Sequence, residues 1–340
     1  MTDLKLGLQL GYWGSTPPTG FVELAQQAER LGFDSVWTAE AYGSDALTPL
    51  AWIGANTRRI RLGTGVCQLS ARTPTATAMA AMTLDHLSGG RMILGLGVSG
   101  PQVVEGWYGA PFSQPLARTR EYIDIIRQVL RREAPVANAG PHYPLPFHGD
   151  GSWGLGKPLK SIVHPLRADL PIFLGAEGPK NVALAAEIAD GWLPLYYSPF
   201  RQEVYKASLS NARAGFEITQ GVVVNITDDI AKGLVPVKNM LALYIGGMGA
   251  KQRNFHKELI SRMGFEGEAN QIQDLYLAGR KQEAVLAVPD KLADEISLVG
   301  PIGRIRERLG AWRETPVTSL LVSARNPTEL GALAEVVLGG

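Results

Sequence analysis

The chain has one cysteine, Cys67, among 340 residues, so it can close no disulfide on itself. A zinc site built on thiolates needs more than one cysteine and is excluded with it. The five histidines do not fall at metal-ligand spacing either, so no metal is expected. Charge of one sign is equally scarce. Lys and Arg number 33 against 32 Asp and Glu, a net charge of +1. Nothing here matches a nucleic-acid backbone, and no nucleic-acid partner is expected. Apolar runs fall far short of the ~20 residues that span a bilayer. The N-terminus places Asp3 and Lys5 around a short apolar run and lacks the basic-then-apolar order of a secretion signal. The Asn225-Ile226-Thr227 glycosylation pattern then carries no meaning, and a cytoplasmic protein without a membrane partner is expected.

What is present is a rhythm. Leu4–Leu10 reads as a short buried strand. Phe21, Leu24, Ala25, Ala28 and Leu31 follow at helical spacing, with Thr19 as cap and Gly32 as stop. Further strands are expected at 35–37, 60–64, 92–96, 171–174, 192–195, 222–226 and 319–322. Helices are expected at 47–57, 75–87, 118–132, 179–188 and 302–313, with one more closing the chain. Alternating strands and helices imply a parallel sheet with right-handed crossovers. Eight strands without a second compositional block favour closure into a (β/α)₈ or TIM barrel, one domain over 1–340. Two stretches interrupt the rhythm. Residues 135–170, after the fourth helix, are rich in Pro and Gly and hold His142, His148 and His164. They read as a hairpin over one barrel end, with the histidines as surface or lid residues. Residues 228–298 read as a purely helical insertion before the eighth strand.

Three glycine patterns suggest nucleotide binding, and two fail. Gly95-Leu96-Gly97-Val98-Ser99-Gly100 follows a strand, but Pro101 comes next. The acid at the required distance, Glu121, falls inside a helix, against a dinucleotide fingerprint. Gly151 to Lys157 resembles a phosphate-binding loop, but Pro158 stands where Ser or Thr is required. The third pattern, Gly175-Ala176-Glu177-Gly178-Pro179, ends a strand and starts a helix. Its N–H groups and the helix dipole suit an anion. A plain tight turn explains the same glycines equally well.

A resemblance then becomes specific. Residues 31–37 (LGFDSVW), 61–66 (RLGTGV), 84–91 (LDHLSGGR), 94–97 (LGLG), 174–181 (LGAEGPKN) and 189–192 (ADGW) resemble successive signatures of the bacterial luciferase-like superfamily. The nearest likeness, including 100–107 (GPQVVEGW), is to its branch dependent on the deazaflavin coenzyme F420, with methylenetetrahydromethanopterin reductase among its members. That resemblance implies an oxidoreductase with its site at the C-terminal ends of the strands. The coenzyme phosphate would rest on Gly175, Ala176, Glu177 and Gly178. The ring would lie against a cis peptide at Gly65-Val66, lined by Glu40, Gly97, Val98 and Ser99. Lys180 and Arg72 are candidate partners for the carboxylates of the F420 tail.

The family's sugar-phosphate dehydrogenases carry a histidine after the strand-two acid and a glutamate after the strand-four glycines. Here Ala41 and Gly100 (or Ser99) stand there. Reduction of an activated C=C or C=N bond of a small molecule is therefore expected instead of alcohol oxidation. Glu40 is the candidate proton donor, or alternatively a carboxylate hydrogen-bonding the following loop. Tyr12, Trp13, Trp107 and Tyr108 are candidate pocket walls, or packing. Cys67 reads as a small apolar core residue. Two alternatives stay open: an FMN-dependent two-component monooxygenase, and a coenzyme-free partner subunit. A homodimer through the helix at 75–87 is expected.

Overall fold

The computed structural model describes residues 4–11, 13–16, 18–249, 251–252 and 254–339. The barrel strands are β1 (Lys5–Gly11), β2 (Ser35–Thr38), β3 (Arg61–Thr64), its short continuation β4 (Cys67–Gln68), β5 (Met92–Gly97), β6 (Ile172–Gly175), β7 (Gly191–Leu193) and β8 (Glu217–Gly221). Beyond β8 come β9 (Val223–Ile226), β10 (Ser297–Gly300) and β11 (Ser319–Val322). The sheet runs β3-β2-β1-β11-β8-β7-β6-β5-β4, every pairing is parallel, and the β3–β5 pairing closes it. With β3 and β4 counted as one, this is the expected eight-stranded barrel.

The barrel interior is filled by few large side chains set against glycines. Trp37, Ile93, Phe173 and Leu321 form a buried cluster, with the Trp37 and Phe173 rings 5.9 Å apart. A Cβ on Gly63 would stand 2.4 Å from the Trp37 ring, and one on Gly191 2.7 Å from Phe173. Both glycines are thus demanded by the packing. Alternate residues, such as Leu6, Leu8, Val36 and Leu62, face outward to the helices and make the larger core.

Several family signatures turn out to be structural. Asp85 accepts from Met92 N–H at 3.1 Å and pairs with Arg167, and Gly89 ends the helix Pro74–Ser88 in the left-handed conformation, φ 70°. Arg91 donates to the carbonyls of Gly54, Thr57 and Ile60. Asp190 takes Ile172 N–H at 2.6 Å and binds Arg127. These contacts fix the N-terminal ends of β5, β6 and β7.

Four expectations are corrected. The seventh barrel strand is Glu217–Gly221, not 222–226; the latter leaves the barrel and pairs with β10. The insertion is accordingly not all helix, because its last stretch carries β10. Residues 222–226 (VVVNI) are the more apolar run, whereas Glu217–Gly221 (EITQG) is mostly polar, so a search for apolar runs selects the segment outside the barrel. Thr19 is not the cap of the first helix: Phe21–Arg30 starts at Gly20, φ 74°, with no side-chain cap. The 135–170 excursion makes only two antiparallel bridges, Val136 to Leu159 and Asn138 to Leu145. It runs along the helix Pro115–Arg131, where Glu121 accepts from His142 and Tyr143 N–H. It returns past His86 and Asp85 to the N-terminal end of β5. That end lies opposite the C-terminal ends of the strands, so His164 is not a lid residue over those ends.

Candidate active site

The C-terminal ends of β2 to β6 bring the expected residues together. Thr64 ends β3, where its hydroxyl donates to Gly95 O and accepts from Gly95 N–H, both at 2.8 Å. A Cβ on Gly95 would lie 1.8 Å from Thr64 O, so only glycine fits. The chain then bulges through Gly65 and Val66, joined by a cis peptide. Val66 lies across the ends of β5 and β6. Built Cβ atoms on Gly97 and Gly175 would meet its side chain at 2.6 and 3.3 Å. Val66, Gly97 and Gly175 therefore form one continuous wall. Val98 and Ser99 continue from Gly97, and Ser99 takes a left-handed backbone, φ 59°, uncommon for a residue with a Cβ.

Glu40 follows β2 and is buried. Both its carboxylate oxygens accept from Arg72 Nη1 at 2.9 Å, and Oε2 also accepts from Gln68 N–H at 3.1 Å. Gln68 Nε2 donates to the Glu40 carbonyl at 3.2 Å. This is the arrangement of a carboxylate acceptor, which favours the positioning alternative over proton donation. Arg72, also 3.9 Å from Asp45, is committed to this cluster and not to a rim. Cys67 is buried beside it. Burial, reinforced by Glu40, pushes its thiol up to about 12, so it stays a neutral thiol. Sequence reasoning missed Gln68, whose contacts depend on the bulge and not on local pattern.

The loop between β6 and the helix Pro179–Ile188 has the expected strand-to-helix form. Gly178 is the N-cap residue (φ −74°, ψ 147°), and its carbonyl accepts from Asn181 and Val182 N–H at 2.9 Å. Among the described residues, the N–H groups of Glu177 and Gly178 are not spent on any hydrogen bond. Ala176 is buried, and its carbonyl accepts from Trp192 Nε1 at 2.8 Å. Lys180 is exposed. Glu177 turns its carboxyl inward: Oε1 accepts from Leu195 N–H at 2.5 Å, while Oε2 is sealed from solvent without a partner. Burial pushes this carboxyl up to about 8. The helical insertion covers the loop. Phe255 approaches Gly178, and Arg262 Nη2 donates to Glu177 O at 3.3 Å. No sequence signal announced that contact, because the insertion returns over a chain separation of 85 residues.

The aromatic candidates divide. Tyr12 lies outside the described residues. Trp13 packs on Phe21 with ring centroids 6.0 Å apart. Trp107 is 63% exposed and meets Tyr42 at 6.4 Å. Tyr108 is half-buried, and its hydroxyl is raised by burial and then by Glu40, which places it beside the Glu40 cluster. Among the described residues no group of three or more His, Cys, Asp or Glu is placed to hold a metal, and no helix is long and apolar enough to cross a membrane.

A closed parallel barrel with glycine-lined strand ends and a strand-to-helix loop of unspent amides has the architecture of the (β/α)₈ enzymes, whose sites lie at the C-terminal ends of the strands. The chain belongs to the luciferase-like monooxygenase family, whose model matches residues 7–319, and groups with that family's F420-dependent oxidoreductases. It is 57% identical to the "Putative coenzyme F420-dependent oxidoreductase" of Mycobacterium tuberculosis, over 98% of this chain and 99% of that protein. It is 27% identical to 5,10-methylenetetrahydromethanopterin reductase of Archaeoglobus fulgidus, over 94% and 93% of the two chains. The structure of coenzyme F420 dependent tetrahydromethanopterin reductase from Methanopyrus kandleri superposes with a TM-score of 0.79, covering 99% of both chains at 22% identity.

Proposed function

We propose that this protein is an F420-dependent oxidoreductase that reduces an activated double bond of a small organic molecule. The observation that carries the reading is the junction of the Val66–Gly97–Gly175 wall with the Glu177–Gly178 amides at the start of a helix. A flat ring fits such a wall, and a phosphate fits such amides. The fit is sound on both counts: the wall carries no side chain larger than Val66, and the loop amides have no competing acceptor. When bound, the coenzyme supplies a hydride from its ring carbon.

The chain's own residues position and shield. Val66 and Gly97 set the plane of the ring. Gly175, Ala176, Glu177 and Gly178 hold the phosphate. Glu40, clamped by Arg72, fixes the bulge through Gln68 and lines the ring with Val98 and Ser99. Trp107 and Tyr108, on the loop after β5, border the substrate space. The protein works as a homodimer through the exposed face of the helices Leu47–Ala55 and Pro74–Ser88.

The test is titration of the apoprotein with F420 and FMN while following intrinsic Trp fluorescence, then a substrate screen with reduced F420 under anaerobic conditions. Tighter F420 binding and oxygen-independent turnover are expected. Tighter FMN binding, or turnover that requires FMN and oxygen, overturns the reading.

A further inference from the structure

Glu177 lies inside the loop assigned to a phosphate, and any role of its carboxyl toward that ligand rests on the assignment, whichever coenzyme bears the phosphate. A carboxylate within an anion cradle opposes its ligand. The fold deals with this carboxyl by sealing it. Oε1 accepts from Leu195 N–H, and Oε2 is out of solvent with no partner. A charge on that oxygen would have no hydrogen-bond donor of its own, and only the nearby Arg262 and the Leu195 N–H on Oε1 oppose the cost of its burial, whereas a carboxylic acid leaves only an unused donor there. The nearby cation, Arg262, donates to the residue's backbone carbonyl.

We propose that Glu177 is a positioning residue of the phosphate site that holds its proton while the coenzyme is bound, so that phosphate and proton bind together. Several titratable groups face this carboxyl. Tyr196 and Tyr205 approach from the segment after β7, and burial holds both hydroxyls well above their usual range. His256 sets its ring edge-on to Tyr196 at 6.3 Å, and burial lowers it to about 4, so it stays neutral. Glu177 itself is pushed up to about 8 by burial. From neutral to moderately alkaline pH it is therefore the group in this set that changes charge. Below about 8 the carboxyl is neutral and binding is insensitive to pH; above it ionisation withdraws affinity, by up to about tenfold per pH unit.

The experiment measures affinity for F420 and for FMN from about pH 7 to about pH 9.5 in wild type and Glu177→Gln, bracketing the expected ionisation. Calorimetry in buffers of different ionisation enthalpy counts the protons taken up near pH 9. Wild type should lose about tenfold or more in affinity across this range and take up a proton on binding. Glu177→Gln should lose less and take up none beyond what the coenzyme itself accounts for. A flat wild-type profile, a parallel fall in the variant, or no proton uptake by wild type overturns the proposal. The wild-type proton count decides alone if the variant does not fold. Coenzyme binding that ignores pH sinks this inference and leaves the proposed function standing. Failure of both coenzymes to bind at neutral pH sinks both.

Discussion

Val66 and Gly97 share one space: a Cβ on Gly97 would stand 2.6 Å from Val66 Cγ2, closer than carbon atoms pack. Valine is stiff at χ1, so the methyl group cannot swing away without moving the bulge that carries it. Gly97→Ala should therefore displace Val66, cost about 1–3 kcal/mol of stability and weaken coenzyme binding. The double variant Gly97→Ala/Val66→Ala should recover part of that stability. Urea denaturation and coenzyme titration check both statements, and a neutral Gly97→Ala would show that the wall yields.

Glu40 and Arg72 are a more asymmetric pair. The Glu40 side chain is buried, whereas Arg72 reaches solvent and lies near a second carboxylate, Asp45. Arg72→Met strands a buried charge and should cost about 3 kcal/mol. Glu40→Gln keeps the shape and leaves Arg72 with Asp45, so its loss should be about 1 kcal/mol, in the range of a hydrogen bond. Thermal melts of both variants rank the two losses. If Glu40→Gln abolishes turnover while coenzyme affinity and stability hold, Glu40 is the proton donor after all, and its positioning role is wrong.

Local packing separates what was legible in the sequence from what was not. Glycines at Gly63, Gly95, Gly97 and Gly191 are legible because strand packing leaves no room for a Cβ, and the strand-to-helix loop is legible from Gly178 and Pro179. The β/α rhythm gives the barrel for the same local reasons. The partner of Glu40 was not legible as such: Arg72 lies 32 residues on, and only the turn through Gly65 and Val66 brings it back. The place of the two interruptions was not legible either. Composition marked 135–170 and 228–298 as departures, but only long-range contacts such as His86 to His164 and Arg262 to Glu177 show that the first hugs the flank and the second covers the site. The seventh strand was misplaced because β8 and β9 follow one another with only Val222 between them, and the more apolar of the two is the one that leaves the barrel to pair with β10.

Gly178 separates backbone from charge in the phosphate site. Its φ and ψ suit any residue, and the nearest atom to an added Cβ is Phe255 Cδ1 at 3.8 Å, so Gly178→Val should fold. The added methyl groups crowd the amides that the phosphate needs. Lys180 is exposed, and a solvated charge contributes little, about 0–1 kcal/mol. Gly178→Val should weaken coenzyme binding by about tenfold or more, equivalent to at least one lost hydrogen bond, and Lys180→Ala by severalfold at most. Equal losses in the two titrations would count against a backbone cradle.

The helices Leu47–Ala55 and Pro74–Ser88 present an exposed face of their own. Trp52, Met79 and Leu87 are 62%, 60% and 77% exposed, and Thr48, Ala51, Ala55, Ala76 and Thr83 lie exposed on the same two helices. None of these residues is charged. The two helices pack side by side, so a large apolar surface without ionic cover is presented in one place. A twofold partner satisfies such a surface with the same surface on its neighbour. Light scattering at micromolar concentration should give twice the 36.6 kDa chain mass. Trp52→Glu combined with Met79→Glu should give the single-chain mass with an unchanged far-ultraviolet circular dichroism spectrum, because neither side chain supports its own barrel. A wild-type protein that stays monomeric, or a double variant that stays dimeric, would remove this face from the interface.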